Sequence, residues 1–199
     1  MKLFSIMVFY SDSGGVVKLM KGAYDLANFG FFQRGSVQEF MNFTGKVIIE
    51  RSAKPSRSSV KEQDYMVHVY CRNDGLCGAA VTDSEYNQRV AFSMLTRVLD
   101  EWTQRIPADS WPRLTEGSAD FRALDGYLAK YQNPHAADSM SRVEADLEET
   151  KIVLHDTIQK VLDRGEKLDD LVDKSEGLSA QSKMFYKSAH KMNKCCTWV

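Results

Sequence analysis

The chain predicts an α+β fold: a mixed, mainly antiparallel sheet with packed helices, followed by a long coiled-coil helix and a lipidated C-terminal box. Three observations carry this. Residues 1–131 run through apolar patterns in the order ββα-ββα-α, the order of a sheet with helices laid on it. Residues 138–194 hold a hydrophobic seam that steps 3, 4, 3, 4 without a break. The chain then closes on Lys-Cys-Cys-Thr-Trp-Val, so that residues 195–199 form a separate box, and residues 132–137 are a linker around Pro134.

In the first domain, Leu3, Ile6, Val8 and Phe9 suit a strand, Gly14-Gly15 a turn, and residues 16–22 a second strand, the two forming a hairpin. Val37, Phe40, Met41, Thr44, Val47 and Ile48 recur at the i, i+3, i+4 spacing of an amphipathic helix. Lys54-Pro55-Ser56-Arg57 ends it. Two strands at about 65–71 and 76–81 are joined through Asn73-Asp74-Gly75, a tight-turn sequence. Asp83 or Ser84 is the expected cap of a long helix whose apolar face is Val90, Phe92, Leu95, Val98, Leu99 and Trp102. A last helix at about 121–131 is closed by Asn133-Pro134.

The seam runs through Met140, Val143, Leu147, Thr150, Leu154, Thr157, Val161, Arg164, Leu168, Leu171, Ser175, Leu178, Ser182, Phe185, Ala189 and Met192. Its mean step of about 3.5 residues keeps one stripe facing a partner in a left-handed coiled coil. Eleven of the sixteen positions are apolar, which makes the segment one to be buried against other helices, and Arg164 sits in the middle. A guanidinium carries five donors, no acceptor and a permanent charge, so a coil that buries it must bring acceptors to that one layer and thereby fixes its register. A solvated arginine on an ordinary two-stranded coil is the alternative.

Cys196 stands fourth from the end, where a prenyl group is attached, and the adjacent Cys195 can take a palmitoyl chain. One chain binds membranes marginally and two bind stably, and Lys183, Lys187, Lys191 and Lys194 would add attraction to an anionic leaflet. A chance cysteine is the competing reading.

Composition excludes several classes. Hydrophobic content of 43%, charged content of 27% and a net charge of −1 describe an ordinary soluble chain and give no support for a nucleic-acid partner. No apolar run is long enough for a membrane span and the first residues read as a strand rather than a leader, so a cytosolic protein is expected. Cys71 and Cys77 are expected as buried thiols, no Cys/His set stands at metal-ligand spacing, and no cofactor is expected beyond the covalent lipids. There is no phosphate loop, which excludes a small lipidated GTPase, and no catalytic signature or catalytic residue is identified.

Phe31-Phe32-Gln33-Arg34, Ser36-Val37-Gln38-Glu39-Phe40-Met41, Ala123-Leu124-Asp125-Gly126, Tyr131-Gln132-Asn133-Pro134 and the run 164–171 (Arg-Gly-Glu-Lys-Leu-Asp-Asp-Leu) are spread from end to end. Through them the whole chain resembles the prenylated longin-domain R-SNAREs, a family of synaptobrevin homologues. The resemblance implies a longin domain of profilin-like fold at 1–131 and an R-SNARE motif at 138–194. It makes Arg164 the ionic-layer residue that meets one glutamine from each of three Q-SNARE helices. It implies vesicle docking and membrane fusion in ER–Golgi, intra-Golgi and endosomal or vacuolar transport, from the cytosol and the cytoplasmic face of those membranes. Phe40, Phe43 and Val47 would form an autoinhibitory groove, because Phe43 matches the position at which the family's longin domain grips its own SNARE segment. Plain core packing of Phe43 is the alternative. The box departs from the family's aliphatic pattern at Thr197 and Trp198, which leaves farnesyl against geranylgeranyl open. Two other functions compete: a passive coiled-coil tether, and the longin-dependent acyl transfer proposed for the family, for which the sequence holds no base–nucleophile pair.

Overall fold

Strand β1 (Leu3–Ser11) is apolar at nearly every position because both of its faces are covered. It pairs antiparallel with β2 (Val17–Tyr24) on one side and β5 (Leu76–Asp83) on the other. The computed structural model describes residues 1–133 and 151–195, the last six by backbone alone. Beyond β5 the sheet continues through β4 (Tyr65–Cys71) and β3 (Ser56–Glu62) to β6 (Ile152–His155), giving the order β2-β1-β5-β4-β3-β6. All pairings are antiparallel except β3–β6, which is parallel.

Helix α1 (Arg34–Glu50) covers one face of the sheet, where Phe4, Met7, Phe9, Val67, Val69 and Val81 meet its Val37, Met41, Val47 and Ile48. Helices α2 (Gln88–Arg105) and α3 (Ala123–Tyr131) cover the other, against Leu3, Ile6, Val8, Met20, Leu76 and Ala80. The result is three layers, with the sheet between α1 and the pair α2 and α3. The β4–β5 turn needs its glycine: Gly75 has φ +85°, and a Cβ there would lie 2.4 Å from the Ser11 carbonyl oxygen.

Three expectations are corrected. The stretch at 54–57 ends the helix but also leads into a strand, β3, whose serines conceal it. On the α2 face Ser59 belongs to a buried polar ladder: it bonds His68, and His68 bonds Thr82. Helix α2 is capped by Asn87, whose side chain accepts from the Arg89 amide at 2.9 Å, and not by Asp83 or Ser84; Asp83 is the last residue of β5.

The third correction concerns 138–194. The expected single helix is divided here into β6, a 3-10 turn at Ile158–Lys160, α4 (Leu168–Lys174) and α5 (Ala180–Cys195). The breaks have local causes. Ile152 and Val153 are β-branched, Gly165 takes φ +91°, and Gly177 separates the two helices. The segment buries its apolar side chains on the N-terminal domain. Seam positions Met140, Val143, Leu147 and Thr150, the lipidation cysteine Cys196 and most of the linker lie outside the described residues.

Candidate functional site

The site is the contact between the outer face of α1 and the segment 151–189. It begins at the sheet edge, where Arg57 to Val60 of β3 pair in register with Ile152 to His155. The side chains of Ile152, Val153 and Leu154 stay 37–62% exposed, so backbone hydrogen bonds rather than apolar burial hold this strand. The chain then turns inward: the Ile158 amide donates to Glu62 at 3.2 Å, and Ile158 and Leu162 enter the same apolar core as Val47 and Ile48.

Arg51, just past the end of α1, forks onto Glu166 with Nε and Nη2 each donating at 2.9 Å. Such a bidentate pair fixes orientation as well as position. Glu166 also accepts from the Asp163 amide, and the Arg51 guanidinium holds its carboxyl below the ordinary range. Between these anchors Arg164 stands exposed in the Gly165 turn, paired with no described residue.

Phe40 and Phe43 project from α1 onto Val172, Leu178 and Tyr186, and the Tyr186 ring stacks on Phe40 with centroids 5.2 Å apart. The Tyr186 hydroxyl donates to Asp169 at 2.7 Å; burial, then this carboxylate, pushes the phenol upward. Glu39 receives the Ser179 amide and the Ser182 hydroxyl at 2.8 and 2.7 Å. Burial alone would raise the Glu39 carboxyl, but these donors outweigh it and hold it below its usual value. Beneath α5 lies an apolar cavity of about 250 Å³ walled by Phe29, Val37, Met41, Tyr65, Phe185 and Ala189, among others.

Sequence reasoning named Phe40, Phe43 and Val47. The structure puts the two phenylalanines on the outer face of α1 and Val47 in the core below, with Ile158 and Leu162. Of the described seam, Leu154 is exposed, Val161, Leu168, Leu171 and Phe185 are half-buried, Leu178 is buried, and Met192 is described by backbone only. Cys195 is the last residue of α5. Arg51, Glu39, Glu166 and Tyr186 were not singled out. Polar pairs 115 and 143 residues apart leave no periodic signal to find them by.

The site is built from apolar contacts flanked by polar anchors. It holds a chain segment, and among the described residues no group of three or more His, Cys, Asp or Glu could hold a metal ion. No helix among them is long and apolar enough to cross a membrane.

A three-layer domain followed by a heptad segment with a central arginine defines a class, and family comparison agrees with it. The longin model, described as a regulated-SNARE-like domain, matches residues 26–128, and the synaptobrevin model matches 139–199. The chain belongs to the longin-domain synaptobrevin homologues, SNARE proteins of vesicle trafficking and not enzymes. It is 48% identical to the synaptobrevin homolog YKT6 of Eremothecium gossypii, 49% to ykt6 of Schizosaccharomyces pombe and 46% to YKT6 of Saccharomyces cerevisiae, each over 98% of both chains.

Proposed function

We propose that this chain is an R-SNARE that drives vesicle docking and membrane fusion by zippering with three Q-SNARE helices, and that its longin domain holds it closed until partners arrive. The carrying observation is the position of the segment. Phe40, Phe43, Glu39 and Arg51 hold it against α1 in a strand–turn–helix path that cannot coexist with one continuous helix. Arg164 has no role in that closed form, and its value lies in the bundle, where one glutamine from each partner would supply acceptors to the ionic layer.

Zippering from Met140 toward Met192 would form a helix of about 80 Å at about 1.5 Å per residue. It would draw together the membrane that holds the lipid end and the membrane that holds the partners. Prenylation at Cys196 and palmitoylation at Cys195 supply that anchor, and the cavity under α5 is apolar enough to shelter an alkyl chain while the protein is off the membrane. The steps served are those of ER–Golgi, intra-Golgi and endosomal or vacuolar transport, on the cytoplasmic face.

Phe43→Glu tests the closed state. It places an unpaired charge against Val172 and Leu178, a cost of several kcal/mol if it stays buried and enough to invert a population held by a few. The expected outcome is an unchanged longin fold by circular dichroism, rapid proteolysis within 151–195 and faster assembly with Q-SNARE helices. A melted longin domain would show that Phe43 is core and defeat autoinhibition at this residue.

A further inference from the structure

Six residues of the described segment are buried: Ile158, Leu162, Val172, Leu178, Ser182 and Tyr186. Four of them, Ile158, Leu162, Val172 and Tyr186, are not seam residues. Each follows a seam position by one: Thr157, Val161, Leu171 and Phe185. Those four seam neighbours are exposed or only half-buried in the same structure. One residue is about 100° around a helix, so in a continuous helix the four would form a stripe beside the seam, with Ile158, Val172 and Tyr186 each two heptads apart.

We propose that the segment carries two recognition faces: the 3/4 seam, read by partner helices, and this second stripe, read by the longin domain of the same chain. The inference rests on the closed state being the resting form. Its content is the division of labour. Ile158 and Leu162 join the apolar core between α1 and the sheet, and Val172 and Tyr186 pack on Phe40 and Phe43. Closure and zippering exclude one another because their backbones differ, at β6 and at the positive φ of Gly165, and because seam residues Leu178 and Ser182, with the half-buried Val161, Leu168, Leu171 and Phe185, also touch the longin domain. A helix carrying only a seam would lack four of the six side chains buried in the closed form, so the stripe also marks the segment as this domain's own.

The test pairs two substitutions in the full chain. Val172→Gln removes a stripe residue that is 0% exposed, and Leu154→Gln removes a seam residue that is 62% exposed here. Closure is read by protease cleavage within 156–189. Zippering is read by the melting of a detergent-resistant complex with three Gln-bearing SNARE helices, chosen because they form that complex with the parent. The expected result is cleavage at least about tenfold faster for Val172→Gln with the complex unchanged, and the reverse for Leu154→Gln. Ile158→Gln serves as the second stripe variant and must follow Val172→Gln. A complex destabilised by Val172→Gln and Ile158→Gln as much as by Leu154→Gln would overturn the two-face reading, as would unchanged cleavage of both stripe variants. A parent chain already cleaved as fast as an unfolded peptide would instead defeat the closed resting state.

Discussion

His68 shows how a buried polar residue constrains the protonation of its neighbours. Gln88 donates to the Ser59 oxygen, so the Ser59 hydroxyl is free to donate to Nδ1 of His68. The Thr82 hydroxyl donates to the Asp83 carbonyl, so it accepts from Nε2–H. One neutral tautomer satisfies every member, and a second ring proton would force the Ser59 hydroxyl proton to turn away from Nδ1. Burial lowers the His68 pKa from 6.5 to about 4. Between these values the unfolded chain binds the proton and the folded chain does not. Stability therefore falls as pH drops from 6.5 toward 4, by up to about 1.4 kcal/mol per pH unit. Urea midpoints from about pH 7.5 to about pH 5 should show this slope, and His68→Gln should flatten it whatever its own stability. Arg164 gives the opposite case, a residue the closed form leaves in water. Arg164→Ala should leave protease resistance unchanged but weaken the zippered complex. Equal complex stability with Ala would remove the ionic layer.

At the scale of elements, the strands and helices of the first domain could be read from apolar period, because a two-faced sheet and amphipathic helices leave periods of about 2 and 3.6 in the sequence. Strand β3 could not, since Ser58 and Ser59 are both buried, and the polar ladder that takes up Ser59 shows only once its partners are known. Strand β6 could not either: it lies within the helical seam segment, with Leu154 a seam position, and pairs only because β3 has a free edge. Gly165 is the element on which the two paths of the segment diverge. Its φ of +91° suits the closed turn, and nothing lies within 4 Å of the place an alanine methyl would take, so only the backbone resists Ala. Gly165→Ala should cost the closed form about 1 kcal/mol in backbone strain and favour the helix by about 1 kcal/mol. The combined bias of about 2 kcal/mol corresponds to a roughly 30-fold shift toward open chains. Protease cleavage rates of the two proteins at one pH measure it.

For the whole molecule, the proposed lipids and the closed form act together. Cys196→Ser should leave the protein off membranes entirely, because the second acylation then has no membrane residence to act from. Cys195→Ser should leave weak, exchangeable binding from a single chain. Flotation with intact mass analysis of protein from its native cell separates these outcomes. A membrane-bound form with Val199 present and both cysteines unmodified would remove the lipid box.

Sequence by itself determined the α+β class, the family, the seam with Arg164 at its centre and the helix that carries Phe40 and Phe43. Each of these is written in local spacing or in contiguous residues, and such information does not depend on what the chain later touches. Tertiary structure alone decided that residues 151–189 fold back as strand, turn and two helices. It also decided that Arg51 meets Glu166, that Glu39 meets Ser182, and that the buried stripe lies one residue off the seam. The physical reason is that a segment with a marginal helix propensity takes its conformation from whichever surface covers it, and that surface lies more than a hundred residues away in the chain.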